Sequence, residues 1–452
     1  MMPVSSSDVT DAACKCPRNQ LPGRNLVICI DGTSNKYGDK NTNIVELYSE
    51  MVKDDKQLTY YNSGVGTYAK GHTHWMKQVS SIFDLAFAFN ISQTIMDAYR
   101  WLSDKYHPGD KIFLFGFSRG AYQVRALAGM IHEMGLILPG NIEQIPYAFE
   151  IYSAINSGKP KDKLLAAGFR STFSRQGVVI HFIGVWDTVS SVGFRKEKIL
   201  PSTDTCDHIC YFRQGLALDE RRVKFLPEYV YGGMSDRPQS QLAQHPKDVV
   251  KEDNVKEVWF AGSHSDVGGG NREKTGDALN FQDMPLLWMR EEAFEAGLLL
   301  NPPKIAFRYE DLKEPKIDDS LTLPWWLLEL LPIRRLCYNN SNQHTPIPHV
   351  GKGRIILPGQ KVHASVLFRT HYRSKASFWR NLQQWPEAIY FHVAYDQERL
   401  RLSQLGHAWE VPFKRSTAEV LVGTIHKKHT LDYVDRLAFM CSFELGVEAV
   451  RR

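Results

Sequence analysis

Lys111-Ile112-Phe113-Leu114-Phe115-Gly116-Phe117-Ser118-Arg119-Gly120 joins an apolar run to a Gly-x-Ser-x-Gly turn, and a helical pattern follows it as far as Gly135. Ile112 to Phe115 contains no polar residue, as expected of a strand covered on both faces. The turn after it is too sharp for side chains at its flanks, so Gly116 and Gly120 let backbone pack closely while Ser118 is raised at the sheet edge. The pattern alone carries little weight, since roughly 0.15 chance matches are expected at this length and average glycine and serine usage. Its setting, strand before and helix after, gives it mechanical meaning. The plainer alternative is a glycine-lined turn in which the serine caps the helix.

Similar segments flank this one. Asn25 to Ile30 is a continuous apolar run stopped by Asp31-Gly32-Thr33. Helical spacing over 43–53 (Ile44, Leu47, Tyr48, Met51) is followed by a short strand, Gln57 to Asn62, and the turn Ser63-Gly64-Val65-Gly66-Thr67. Residues 80–106 keep helical spacing as one long helix or two abutting ones. Val178 to Trp186 ends in Asp187-Thr188, and Val255 to Ala261 ends in Gly262-Ser263-His264-Ser265-Asp266-Val267. Apolar strands alternating with helices predict an α/β fold, a mostly parallel sheet with helices on both faces, whose small-polar clusters gather at the carboxyl edge. The expected division is a polar tail over 1–24, this sheet domain over 25–300, and an accessory C-terminal region over 301–452 packed on it. No internal repeat or low-complexity tract stands out.

The chain has 452 residues, 43% hydrophobic and 23% charged, which argues against a disordered, collagen-like or coiled-coil protein. A net charge of +5 is far below the basic footprint of a dedicated nucleic-acid binder. Seven cysteines over such a length do not resemble the stapled framework of a small secreted domain, so a reducing compartment is the simpler reading. Met1 to Arg24 lacks the apolar core of a secretory signal, and no run of 18 apolar residues spans a bilayer. The expectation is a soluble, cytoplasmic protein, with leaderless export left open.

A serine hydroxyl is a poor nucleophile near neutral pH and needs a base, and the base needs an orienting group. Of sixteen histidines, His264 follows a strand at the carboxyl edge and lies downstream of the serine, in the chain order Ser, acid, His of α/β hydrolases. His181 falls inside a strand and His132 in the helix after Ser118. Asp187 ends the strand expected beside that of Ser118 and is read as the orienting acid. Asp266 is its rival, although two residues past His264 it fits better as a loop anchor through backbone N–H groups. The Arg119 amide, at the helix start, and the Gly32 or Thr33 amide are the candidate oxyanion donors. An ordinary strand-end turn is the alternative for Gly32-Thr33.

Five ordered motifs now stand together: Ile30-Asp31-Gly32-Thr33-Ser34-Asn35, Gly64-Val65-Gly66-Thr67, Gly116-Phe117-Ser118-Arg119-Gly120-Ala121, Gly184-Val185-Trp186-Asp187-Thr188-Val189 and Ala261-Gly262-Ser263-His264-Ser265-Asp266-Val267-Gly268-Gly269. Together they resemble the α/β hydrolase family typified by the catalytic domain of bacterial type VI secretion phospholipase effectors, over about residues 25–300. The resemblance implies a Ser118-Asp187-His264 triad acting on phospholipid esters. It implies nothing for the region after residue 300.

Leu321 to Arg335, with Trp325-Trp326 and a basic end, is too short to span a bilayer. It suits a lipid interface, the cover of an acyl-chain pocket, or a helix packed on the sheet domain. Cys206-x3-Cys210 around His208, and Cys14-x-Cys16, lack a second ligand pair for zinc. No phosphate-binding Gly-x4-Gly-Lys-Ser/Thr loop is present. The expected function is therefore cofactor-free acyl-ester hydrolysis, with an acyl ester or phospholipid as partner. Two alternatives stay open: a non-catalytic acyl-ligand-binding or interaction protein on a hydrolase scaffold, and hydrolysis of non-lipid esters or amides.

Overall fold

The computed structural model describes residues 23–302, apart from 33–37, 39, 65–79, 158, 190–199, 234–253 and 272–280, together with separate stretches between 317 and 390. The N-terminal tail with Cys14 and Cys16, Thr33, the Val65-Gly66-Thr67 turn and the chain past residue 390 lie outside the described residues.

Strand β1 (Asn25–Ile30) is buried at every position. Its side chains divide with period two, as a pleated strand requires. Leu26, Ile28 and Ile30 join one core with Ile112 and Leu114, while Val27 and Cys29 join another with Phe113, Phe115 and Phe117. Helices close both faces. On the first lie α2 (Ser80–Lys105), through Ile91, Ile95, Tyr99 and Leu102, and α3 (Arg119–Met134), through Val124, Leu127 and Ile131. Two further helices, α4 (Ile145–Ala154) and α5 (Pro160–Phe173), complete that layer. On the second face lies α1 (Asn43–Glu50), through Ile44 and Leu47.

The remaining strands in chain order are β2 (Gln57–Asn62), β3 (Lys111–Phe117), β4 (Leu136–Ile137), β5 (Ser174–Arg175), β6 (Ile180–Trp186), β7 (Ile209–Ala217) and β8 (Val255–Phe260). After them come α6 (His264–Gly268), α7 (Met284–Glu295), which packs on the second face, and α8 (Leu323–Glu329). Six short strands follow: β9 (Arg335–Leu336), β10 (His344–Thr345), β11 (Ile355–Ile356), β12 (Lys361–His363), β13 (Ser377–Phe378) and β14 (Ile389–Tyr390). Among the described residues the main sheet has eight strands in the order β14-β12-β8-β7-β6-β3-β1-β2. Each neighbouring pair in it is parallel. The expected α/β architecture is present, with its carboxyl ends on one edge.

Strand order reverses between β1 and β3, where an open α/β sheet splays its loops apart and binds ligands. Asp31 leaves β1 and Ser118 leaves β3 at that point. The chain after residue 300 adds β12 and β14 to the far edge of the same sheet. Strand β7 is a departure from the sequence pattern, which gives no strand between Trp186 and Val255. It lies between β6 and β8, so the Asp187 and His264 strands are not adjacent.

Among the described residues no helix is long and apolar enough to cross a membrane.

Candidate active site

The turn between β3 and α3 is as tight as its glycines imply. A Cβ on Gly120 would stand 2.3 Å from the Ile30 carbonyl oxygen, and one on Gly116 would stand 2.6 Å from the Gly120 oxygen. Between them Ser118 adopts φ 58° and ψ −120°, a backbone conformation that costs a non-glycine residue energy and tends to persist at sites of function. The turn is held by the Ser118 amide donating to Trp186 O at 3.0 Å. Asp187, at the end of β6, also has positive φ, 44°. Its amide donates across the sheet to Gly215 O of β7 at 2.8 Å.

His264 opens α6 rather than lying in an irregular loop. Ser263 caps the helix: its amide and hydroxyl donate to Asp266 Oδ2 at 2.7 and 2.8 Å. Asp266 Oδ1 accepts from Gln282 Nε2 at 2.7 Å, so this carboxylate anchors the loop and the turn around it. The imidazole points the other way. Nδ1 lies 2.5 Å from Asp187 Oδ2 and Nε2 lies 2.9 Å from Ser118 Oγ. With the carboxylate on Nδ1, that nitrogen carries the proton and Nε2 accepts from the serine hydroxyl. All three side chains are buried. The ring is held between Phe117, at 4.8 Å, and the edge of Phe225, at 4.9 Å.

Asp187 has a further partner that the sequence does not announce. Arg354, just before β11, grips both carboxylate oxygens through Nη1 at 2.5 Å and Nη2 at 2.8 Å. The same two nitrogens donate to Ala217 O at 3.1 Å and Phe225 O at 2.5 Å. The Ala217 amide completes the set on Oδ1 at 3.0 Å. Burial by itself would push the Asp187 carboxyl up; the charge of Arg354 and the hydrogen bonds from His264 and Arg354 outweigh it and hold the group well below the usual carboxylate range.

Glu220 is a second buried carboxylate at the site, accepting the His264 amide at 3.3 Å and Arg222 Nη2 at 2.7 Å. Burial opposes its ionisation, but Arg222 draws it down to about 2. Arg222 in turn lies 3.6 Å above the Phe225 ring and 5.1 Å from that of Trp325. Trp325 meets Phe225 edge-on at 5.5 Å, so α8 reaches the imidazole through one intervening ring.

Of the expected oxyanion donors, Arg119 begins α3 directly after Ser118, and burial draws its guanidinium down to about 10. The Gly32 amide donates to Asp31 Oδ1 at 2.6 Å, while Thr42 Oγ1 donates to Oδ2 at 2.7 Å. Among the described residues no three His, Cys, Asp or Glu side chains converge as a metal site. His181 is occupied within β6, its Nε2 lying 2.8 Å from Ala296 O.

A family model described as "T6SS, Phospholipase effector Tle1-like, catalytic domain" matches residues 24–292. An uncharacterized protein of Saccharomyces cerevisiae, YEL023C, is 36% identical over an alignment of 218 residues that covers 45% of this chain and 32% of that protein. The chain thus spans about a third of that relative's length. A crystal structure of an uncharacterized protein from Pseudomonas aeruginosa aligns with 66% of this chain and 48% of its own, at 18% identity and a TM-score of 0.33. A structure of the Tle1 effector bound to the VgrG spike of the type VI secretion system aligns with 60% of this chain and 58% of its own, at 21% identity and a TM-score of 0.31. The family match takes in more than half of the residues, and the chain belongs to the Tle1-like catalytic domain family of type VI secretion phospholipase effectors.

Proposed function

We propose that the protein is a serine hydrolase that cleaves acyl esters of phospholipids, with Ser118 as nucleophile on a nucleophile elbow, His264 as general base and acid, and Asp187 as orienting acid. The observation that carries this reading is the continuous hydrogen-bonded line from Ser118 Oγ through His264 to Asp187. His264 takes the hydroxyl proton as Ser118 Oγ attacks the ester carbonyl, then gives it to the departing alcohol; water reverses the sequence on the acyl-enzyme. The amides at the start of α3, that of Arg119 first, receive the oxyanion. The Gly32 amide joins them if it leaves Asp31 Oδ1. A lipid substrate accords with the family and with α8 and the two residues after it, where Trp326, Leu327, Leu330 and Leu331 are exposed. In this reading Trp325, turned toward Phe225, and Trp326 meet a lipid surface beside the site.

Ser118→Ala is expected to abolish turnover of a p-nitrophenyl acyl ester while leaving the melting temperature nearly unchanged. Residual activity within tenfold of the parent removes Ser118 from the mechanism. Activity on soluble esters but none on phospholipid vesicles removes the lipid part alone.

A further inference from the structure

Resting on the reading above, we propose that Arg354 is a positioning residue of the site. Its guanidinium fixes the rotamer of Asp187 and is the buried counter-charge of that carboxylate, so that the chain beyond the matched family region completes the reacting centre.

The geometry supplies two independent supports. One is the fork: four N–H bonds from Nη1 and Nη2 reach both Asp187 oxygens and the carbonyls of Ala217 and Phe225. Three separate pieces of chain, the ends of β6 and β7 and the 3₁₀ turn that supports Phe225, are thereby fixed on one planar group. Two of those pieces touch the imidazole directly, through Asp187 and through the Phe225 ring. The other support is charge. A buried Asp187 with only His264 against it would favour protonation of the imidazole strongly, and a protonated base cannot accept the Ser118 proton. Arg354 neutralises that carboxylate from the side away from the ring. Among the described residues, the charged groups that touch His264 or its carboxylate partners are Asp187 at the end of β6, Glu220 and Arg222 after β7, and Arg354. Glu220 forms its ion pair with Arg222, and Asp187 forms its ion pair with Arg354, whose charge also reaches Glu220.

Arg354 is itself well fastened. Its carbonyl accepts the Ser377 amide at 2.9 Å, and the Ala376 amide donates to Leu218 O at 2.8 Å, tying this segment to the end of β7.

The test uses the full chain carrying Arg354→Gln or Arg354→Lys, with p-nitrophenyl butyrate hydrolysis followed across pH and thermal unfolding in parallel. For Arg354→Gln, kcat is expected to fall about tenfold to a hundredfold with KM little changed, by analogy with the loss of the hydrogen-bonding partners that orient metal-bound histidines. The acid limb of kcat/KM is expected to rise by about one pH unit, since the carboxylate is no longer matched. Arg354→Lys keeps the charge but not the fork: its limb stays at the parental pH and kcat recovers only in part. Folded variants with parental kcat and limb overturn the proposal. So does a loss in Arg354→Gln that merely tracks the unfolded fraction, with the limb unmoved. If Arg354→Gln does not fold, a parental kcat in Arg354→Lys overturns the positioning role, and a reduced kcat with an unmoved limb supports it. A parent that is itself inert to ester and fluorophosphonate overturns the serine hydrolase reading instead, so the two failures are distinct.

Discussion

Four hydrogen bonds end on the two oxygens of Asp187, from His264, from the Ala217 amide and two from Arg354. In the proposed mechanism such a carboxylate is both an orienting group and a buried counter-ion, and its replacement is felt in both roles. Asp187→Asn is expected to lower kcat by about 10⁴, because an amide no longer selects the imidazole tautomer that accepts from serine. It also strands the Arg354 charge, a change that costs about 3–5 kcal/mol for a buried pair broken on one side. Urea unfolding of this variant beside Ser118→Ala separates the two effects, since the serine variant loses activity without the stability. Equal stability of the two would mean that Arg354 is not engaged as described. At this scale the sequence is informative about residues that end strands: Ser118, Asp187 and His264 all follow apolar runs at the carboxyl edge. Arg354 is silent, because nothing local to it marks a partner 167 residues earlier in the chain.

The turn between β3 and α3 was legible because its glycines are forced by backbone contact. Gly120→Ala sets a methyl against the Ile30 and Asp31 carbonyls and is expected to cost about 1–3 kcal/mol, as overpacking at a close approach does. A urea midpoint within error of the parent would contradict the packing of α3 on β1. Strand β7 hides for the opposite reason. Its middle carries Arg213 and Gln214, which break the apolar pattern, yet both are buried because each finds partners inside the protein. Arg213 pairs with Glu292, which also takes Lys256 Nζ at 3.0 Å. Gln214 Nε2 donates to Glu257 Oε1 at 2.8 Å. A strand whose polar groups are satisfied only by distant residues cannot be told from a loop by hydrophobic pattern alone. The short helix at His264 is hidden in the same way, since its capping box lies in a small-polar cluster whose sequence reads as a loop.

For the molecule as a whole, the paired buried carboxylates set the response to acid. Asp187 and Glu220 are held ionised below the ordinary carboxylate range in the folded protein, Glu220 down to about 2, so the unfolded chain binds more protons than the native one on acidification. Their stabilisation is complete above about pH 5 and is lost as pH falls from about 4 toward 2. The urea midpoint should therefore drop more steeply between pH 4 and 3 than between pH 7 and 5, and less steeply in Asp187→Asn. The segment after residue 300 matters to the same whole. It brings Arg354 to the site, β12 to the sheet and Gln360, whose Oε1 accepts the Trp259 indole N–H at 3.0 Å. A chain ended at residue 300 is expected to lose fluorophosphonate reactivity, and full reactivity would show that the site is complete without that segment. The most direct measurement is mass spectrometry of the intact protein after reaction with a fluorophosphonate. The account predicts one adduct, on Ser118, absent in His264→Ala. An adduct on another residue, or labelling of Ser118 that is indifferent to His264, would contradict it.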